Sequence, residues 1–145
     1  LRDATAKMSK SDPSDLSRIN MTDDAEAIAK KIRKAKTDPE NLPDSPKACE
    51  SRPEAANLMG IYAALSGTPL DQVCNEFGGG EFSLFKKKLA DLAVATLSPI
   101  QDEMRRLMAD PGYVEGVLKK GAGRAREMAA PVLAEVHEIV GFLRS

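Results

Sequence analysis

Lys7-Met8-Ser9-Lys10-Ser11-Asp12-Pro13 is the segment whose residue types and spacing are best suited to chemistry. Two lysines three residues apart, separated by Met8 and Ser9, can converge on one polyphosphate. Their ammonium groups supply point charge, while the Ser9 and Ser11 hydroxyls and backbone N–H groups supply directed donors. Such donors matter most where negative charge grows, as on a pyrophosphate leaving ATP, and each typically lowers a barrier by about 3–4 kcal/mol. A glycine-rich phosphate loop is absent, so the pattern is not that of a P-loop ATPase. Taken alone, the same five residues also describe a solvated Lys/Ser loop ahead of a helix.

A second group is electrostatic. Lys119, Lys120, Arg124 and Arg126 surround Gly121-Ala122-Gly123, which reads as a helix break. Basic side chains at a helix end can engage phosphates and unpaired bases of RNA, or simply sit in solvent along the helix dipole. Aromatic residues are 4% of the chain, so such contacts would be mainly polar. Net charge is -1, but residues 1–37 carry +3, residues 38–115 carry -6 and residues 116–145 carry +2. A polyanion is therefore expected at the ends. The acids Asp23, Asp24 and Glu26 read as first-turn helix residues rather than a metal cluster. His137, flanked by acids, reads as a surface residue. Cys49 and Cys74 lack metal-ligand spacing and read as reduced thiols, Cys74 as a small buried hydrophobe. No metal ligand set is assigned in this chain.

The elements that carry these residues read as helices. Thr22 is placed as an N-cap for a helix over 23–36, where Ala25, Ile28, Ile32 and Ala35 recur at helical spacing. Residues 38–53 contain Pro39, Pro43, Pro46 and Pro53 and read as a loop. A second helix over 54–66 stops at Gly67, and a short third one follows Thr68-Pro69 to Phe77. The fourth, over 81–109, is expected to be kinked or divided by Pro99. Asp110-Pro111 opens a short apolar segment that ends near Gly121, and a last helix over 123–140 carries Pro131 at a bend. Only residues 1–3 and 17–21 look extended. The fold class is all-α, a single bundle of about five or six helices. No run approaches the ~20 apolar residues of a membrane span, and no signal-peptide stretch opens the chain. A cytoplasmic location without membrane contact is expected.

Lys-Met-Ser-Lys-Ser resembles the signature loop of the class I aminoacyl-tRNA synthetases, here in full form with Leu1-Arg2-Asp3 before it and Asp12-Pro13 after it. Downstream, residues 30–38, Asn57-Leu58-Met59-Gly60-Ile61-Tyr62, Phe85-Lys86 through Leu89-Ala90, Ser98-Pro99-Ile100, residues 121–126 and Gly141-Phe142 resemble the tryptophan branch of that class. The tyrosine branch is the nearest competitor; its loop takes forms such as Lys-Phe-Gly-Lys. A non-enzymatic helical interaction module with an incidental Lys/Ser loop is the alternative of a different class.

The resemblance implies a tryptophan–tRNA ligase in which the amino-acid carboxylate attacks the ATP α-phosphate and the aminoacyl group then passes to tRNA(Trp). It implies a parent enzyme with a Rossmann-type domain that binds ATP and tryptophan, with Mg2+ accompanying ATP, and a homodimer formed largely through that part. Residues 1–21 would be the end of the catalytic domain and residues 22–145 a helical anticodon-binding domain. By motif match, Lys7 and Lys10 would stabilise the β- and γ-phosphates in the transition state, Ser9 and Ser11 would add contacts, and Met8 would lie near the adenine. Lys119, Lys120, Arg124 and Arg126 are the candidate tRNA contacts. With the catalytic domain absent, this stretch alone is expected to be inactive.

Overall fold

The computed structural model describes residues 1–141 and is all-α: six α-helices and one 3-10 turn, with no strand among the described residues. The chain divides into two compact units, residues 1–104 and 105–145, where a single bundle was expected.

In the first unit, an irregular segment leads into a 3-10 turn at Asp15–Ser17 and then α1, Ala25–Arg33. The N-cap of α1 is Asp24, whose carboxylate accepts from the Ala27 N–H, and not Thr22. The expected loop over 38–53 contains a helical turn, α2 at Pro46–Cys49, capped by Ser45. Pro46 occupies the first-turn position, where its missing N–H costs nothing. The remaining elements are α3 at Pro53–Ser66, α4 at Leu70–Phe77 and α5 at Phe82–Ala109, of which residues 82–104 belong to this unit. Gly67 ends α3 in the left-handed region at φ 69°.

One core holds this unit together. Ile28 and Ile32 of α1, Leu58 and Met59 of α3, Val73 and Cys74 of α4 and Phe85, Leu89 and Ala93 of α5 are buried in a single cluster. Tyr62, Phe77 and Phe85 form an aromatic trio with centroids 4.9 to 5.6 Å apart, largely edge to face. Aromatic pairs in that arrangement contribute about 0.5–1.5 kcal/mol beyond their burial.

The Pro-rich stretch joins the same core through buried Leu42 and Cys49. Its backbone pairs with the glycine turn after α4, Leu42 N–H to Gly80 O at 2.9 Å and Gly79 N–H to Leu42 O at 2.8 Å. Gly78 fits against Asp44 only because it has no side chain; a Cβ there would lie 2.6 Å from the Asp44 Cα. Arg52 fastens the stretch at its neck, donating through Nε and Nη2 to the Asp38 carboxylate, through Nη1 to the Asn41 carbonyl and through Nη2 to the Glu40 carbonyl.

α5 runs unbroken through Pro99, so the proline does not divide it. In the preceding turn, the Thr96 and Ser98 hydroxyls donate to the Leu92 and Val94 carbonyls at 2.8 and 2.7 Å.

In the second unit, Asp110 caps α6 by accepting from the Tyr113 N–H at 2.9 Å, with Pro111 in the first turn. α6 then runs from Pro111 to Val140 in one piece. The break expected near Gly121 does not occur, and neither Gly121 nor Gly123 takes a positive φ. Each helical glycine costs about 1 kcal/mol relative to alanine, which a long helix with good formers on either side absorbs. The apolar face foreseen on this segment is not a core: no described residue of α6 is buried, and Val117, Leu118, Met128, Val132 and Val136 are exposed. The Arg106 guanidinium lies 5.5 Å from the Tyr113 ring centroid, within cation–π range. Phe142 lies outside the described residues.

Candidate functional site

The Lys/Ser segment is a surface loop shaped by its own polar side chains. At its entrance, the Asp3 carboxylate accepts from the Thr5 N–H at 2.9 Å and the Thr5 hydroxyl at 2.6 Å. These bonds, with the hydroxyl's the larger effect, hold the Asp3 carboxyl below its ordinary pKa. At its exit, the Asp12 carboxylate accepts from the Ser14 N–H at 2.7 Å. Between them, Ser9 folds the chain into a turn: its carbonyl accepts from the Asp12 N–H at 3.3 Å and its hydroxyl oxygen from the Ser11 N–H at 3.2 Å. Lys7, Met8, Ser9, Lys10 and Ser11 are all exposed. Neither the Lys7 nor the Lys10 ammonium forms an ion pair with a carboxylate among the described residues. A small cleft of about 60 Å³ opens beside the loop, lined by Leu1, Asp3, Lys7, Met8, Ser9 and Asp12 among others.

Both stems of the loop are tied to α1 or to the residues that directly follow it. On the leading side, Arg2 Nη1 donates to the Lys34 carbonyl at 3.1 Å and the Leu1 carbonyl accepts from the Lys36 N–H at 2.9 Å. On the trailing side, Lys31 Nζ lies 2.7 Å from Asp15 Oδ2 and 2.6 Å from Asp23 Oδ2. Burial works against the Lys31 ammonium, but hydrogen bonds and charge from Asp15 and Asp23 outweigh it and keep its pKa above the ordinary value. Asp15 is correspondingly held low, first by the Lys31 hydrogen bond and then by Asn20. Sequence reasoning missed Lys31, Asp15 and Arg2. A signal for Lys31 was present: it sits three residues after Ile28 and beside Ile32, a lone cation on the face of α1 that enters the core.

The four basic residues assigned near residue 121 lie on continuous helix, and all are exposed. Lys119 and Arg126 are seven residues apart and Lys120 and Arg124 four apart, so they form two pairs on neighbouring faces rather than one group at a helix end. Lys119 is also ion-paired to Glu115 at 2.8 Å. Cys49 and Cys74 are buried free thiols with Sγ atoms 3.9 Å apart. Burial, with Cys49 beside it, pushes Cys74 up to about 11, so it is an inert packing residue and no nucleophile. No helix among the described residues is long and apolar enough to cross a membrane.

The loop and helical body are those of a class I tRNA synthetase. A family profile described as tRNA synthetases class I (W and Y) matches residues 1–98, and the chain belongs to that family. Within it, the chain is similar to proteins named tryptophan–tRNA ligase: 60% identical over 144 residues to that of Rhizobium meliloti, covering 99% of this chain. The corresponding ligase of Brucella melitensis is 58% identical over 145 residues, covering 100% of the chain, and that of Rickettsia felis 45% identical over 143, covering 99%. The likeness therefore continues through α6, beyond the profile's match. The chain spans about 41% of the length of the Rhizobium and Brucella relatives and 43% of the Rickettsia one.

Proposed function

We propose that this chain is the part of a tryptophan–tRNA ligase that supplies the ATP-phosphate loop and the tRNA-binding helices. The single observation that carries this reading is the loop itself. Lys7 and Lys10 stand exposed and without carboxylate partners among the described residues, on a turn whose stems are fixed to α1 and its C-cap, in a chain similar to ligases of that name. The matching relatives continue beyond this stretch, and the pockets for tryptophan and adenine are assigned to that further part, a Rossmann-type domain.

In the reaction, a tryptophan carboxylate oxygen bonds to the α-phosphorus of ATP as the bond to the bridging oxygen breaks. Pyrophosphate leaves carrying the electron pair. Charge accumulates on the departing phosphates, and the Lys7 and Lys10 ammonium groups face that charge as fixed electrostatic partners. The Ser9 and Ser11 hydroxyls can donate to phosphate oxygens. The Ser11 N–H is already committed to the Ser9 hydroxyl, which makes the side chain its more available donor. Met8 contributes its backbone beside the nucleotide. Mg2+ accompanies the triphosphate and supplies counter-charge to it. Among the described residues there is no cluster of three metal-ligating side chains.

Residues 1–21 belong with the catalytic domain and residues 22–145 form the anticodon-binding domain in this reading. The two exposed basic pairs of α6 serve as polar contacts to tRNA(Trp). The working protein is a cytoplasmic homodimer. The deciding experiment is Lys10→Ala in the full-length ligase, assayed by tryptophan-dependent ATP–pyrophosphate exchange. A loss of roughly 100-fold in rate with folding intact is expected from removing one such donor; an unchanged rate overturns the reading.

A further inference from the structure

We infer that Lys31 is a positioning residue for the ATP loop, reaching the Lys10 turn through the polar chain Asp15, Arg18 and Asp12. The inference rests on the proposal that the loop meets ATP.

The chain of contacts is continuous. Lys31 Nζ holds Asp15 Oδ2 at 2.7 Å. Asp15 Oδ1 pairs with Arg18 Nη2 at 3.5 Å. Arg18 Nη1 donates to the Asp12 carbonyl at 3.1 Å, and the Asp12 N–H closes the turn around Lys10 by donating to the Ser9 carbonyl at 3.3 Å. Asn20 Nδ2 adds a second donor to Asp15 Oδ1 at 3.0 Å. Each link ties the loop's trailing stem to the one before it, and the first is set in the core.

The two acids on Lys31 do different things. The Lys31 side chain is 4% exposed and Asp23 10%, so that pair is a buried one on which the start of α1 depends. Asp15 is 61% exposed, and removing it leaves Lys31 still paired with Asp23. The Asp15 contact therefore adds little to the stability of the helical body. What it does is fix where the loop's exit lies relative to α1. Reacting groups must be held within a fraction of an ångström of productive geometry, so slack in this stem reaches Lys10 as misplacement in the transition state.

The test uses full-length ligase carrying this segment, with Asp15→Ala, Lys31→Arg, Lys31→Met and Lys10→Ala assayed by ATP–pyrophosphate exchange and thermal denaturation. Asp15→Ala is expected to lower kcat about five-fold, leave KM for tryptophan unchanged, and move the midpoint by no more than about 1 °C, as for an exposed pair. Lys31→Arg, which keeps the charge, is expected to retain more of kcat than Lys31→Met. Lys31→Met leaves Asp23 without its cation, so a fall in stability there is expected, and Asp15→Ala carries the decision. Wild-type kcat in Asp15→Ala alongside a slow Lys10→Ala overturns the positioning role alone. Wild-type rates in both remove the ATP-loop reading and this inference with it.

Discussion

Lys86 of α5 reaches the end of α1, its Nζ donating to the Ala35 carbonyl at 2.6 Å and to the Arg33 carbonyl at 3.3 Å. The Arg33 carbonyl, which the helix leaves without an intrahelical donor, and the Ala35 carbonyl just beyond its end are thereby satisfied by a cation where the helix dipole is negative. Burial alone pulls the Lys86 pKa below its ordinary value, so the ammonium is held by carbonyl oxygens rather than by an acid. Lys86→Met keeps much of the stem but removes these bonds. Its expected cost is about 1.5–3 kcal/mol, the range for hydrogen bonds to a charged group, read as a lower urea midpoint with an unchanged slope. An unaltered midpoint contradicts the capping role.

The ion pairs at the surface give stability a definite pH dependence. The Glu54 carboxyl, whose side chain is largely covered, is held below its ordinary value, first by the Lys36 hydrogen bond. A depressed folded-state pKa contributes stability that is complete above the unfolded value and disappears as pH falls through the folded one. The contribution of this pair to the thermal midpoint should therefore be flat from neutrality down to the ordinary carboxylate value of 4.5 and fall below it. Glu54→Gln should flatten that acid limb. A midpoint falling equally steeply in the variant would show that Glu54 does not carry it.

On α6, Lys120 and Arg124 share one face and have no ion pair among the described residues, whereas Lys119 is paired to Glu115. Removing one Lys or Arg from a tRNA phosphate should lower the salt slope of binding by about 1. Lys120→Ala and Arg124→Ala are thus expected to weaken binding of tRNA(Trp) by full-length ligase and flatten its dependence on log salt, and Lys119→Ala to do less. Slopes unchanged in the first two would take this helix out of the RNA interface.

The sequence was legible where local chemistry decides. The ends of α3 and α4 follow from Gly67 and the glycine run after Phe77, because positive φ and missing side chains are properties of single residues. The start of α1 was less so. Thr22, Asp23 and Asp24 can each cap a helix, and the choice depends on Asp23 being drawn off by Lys31 and Asn20, leaving Asp24 for the role. The continuity of α6 was hidden because two glycines read as punctuation. The order in residues 38–53 comes from Arg52 and Gly78, whose partners are distant in sequence. Among the candidate residues, the Lys/Ser loop was visible as a motif, but its attachment to α1 was not, since it uses tertiary contacts from Arg2 and Asp15.

The missing methyl at Gly78 has a consequence for how this surface can diverge. Replacing that hydrogen with any side chain would wedge the Pro-rich stretch away from the turn after α4 and uncover Leu42 and Cys49 together. Loop length between Asp38 and Arg52 can drift only so far as Asp44 still comes to rest over that spot, so the stretch behaves as a lid cut to a fixed key rather than as spare chain.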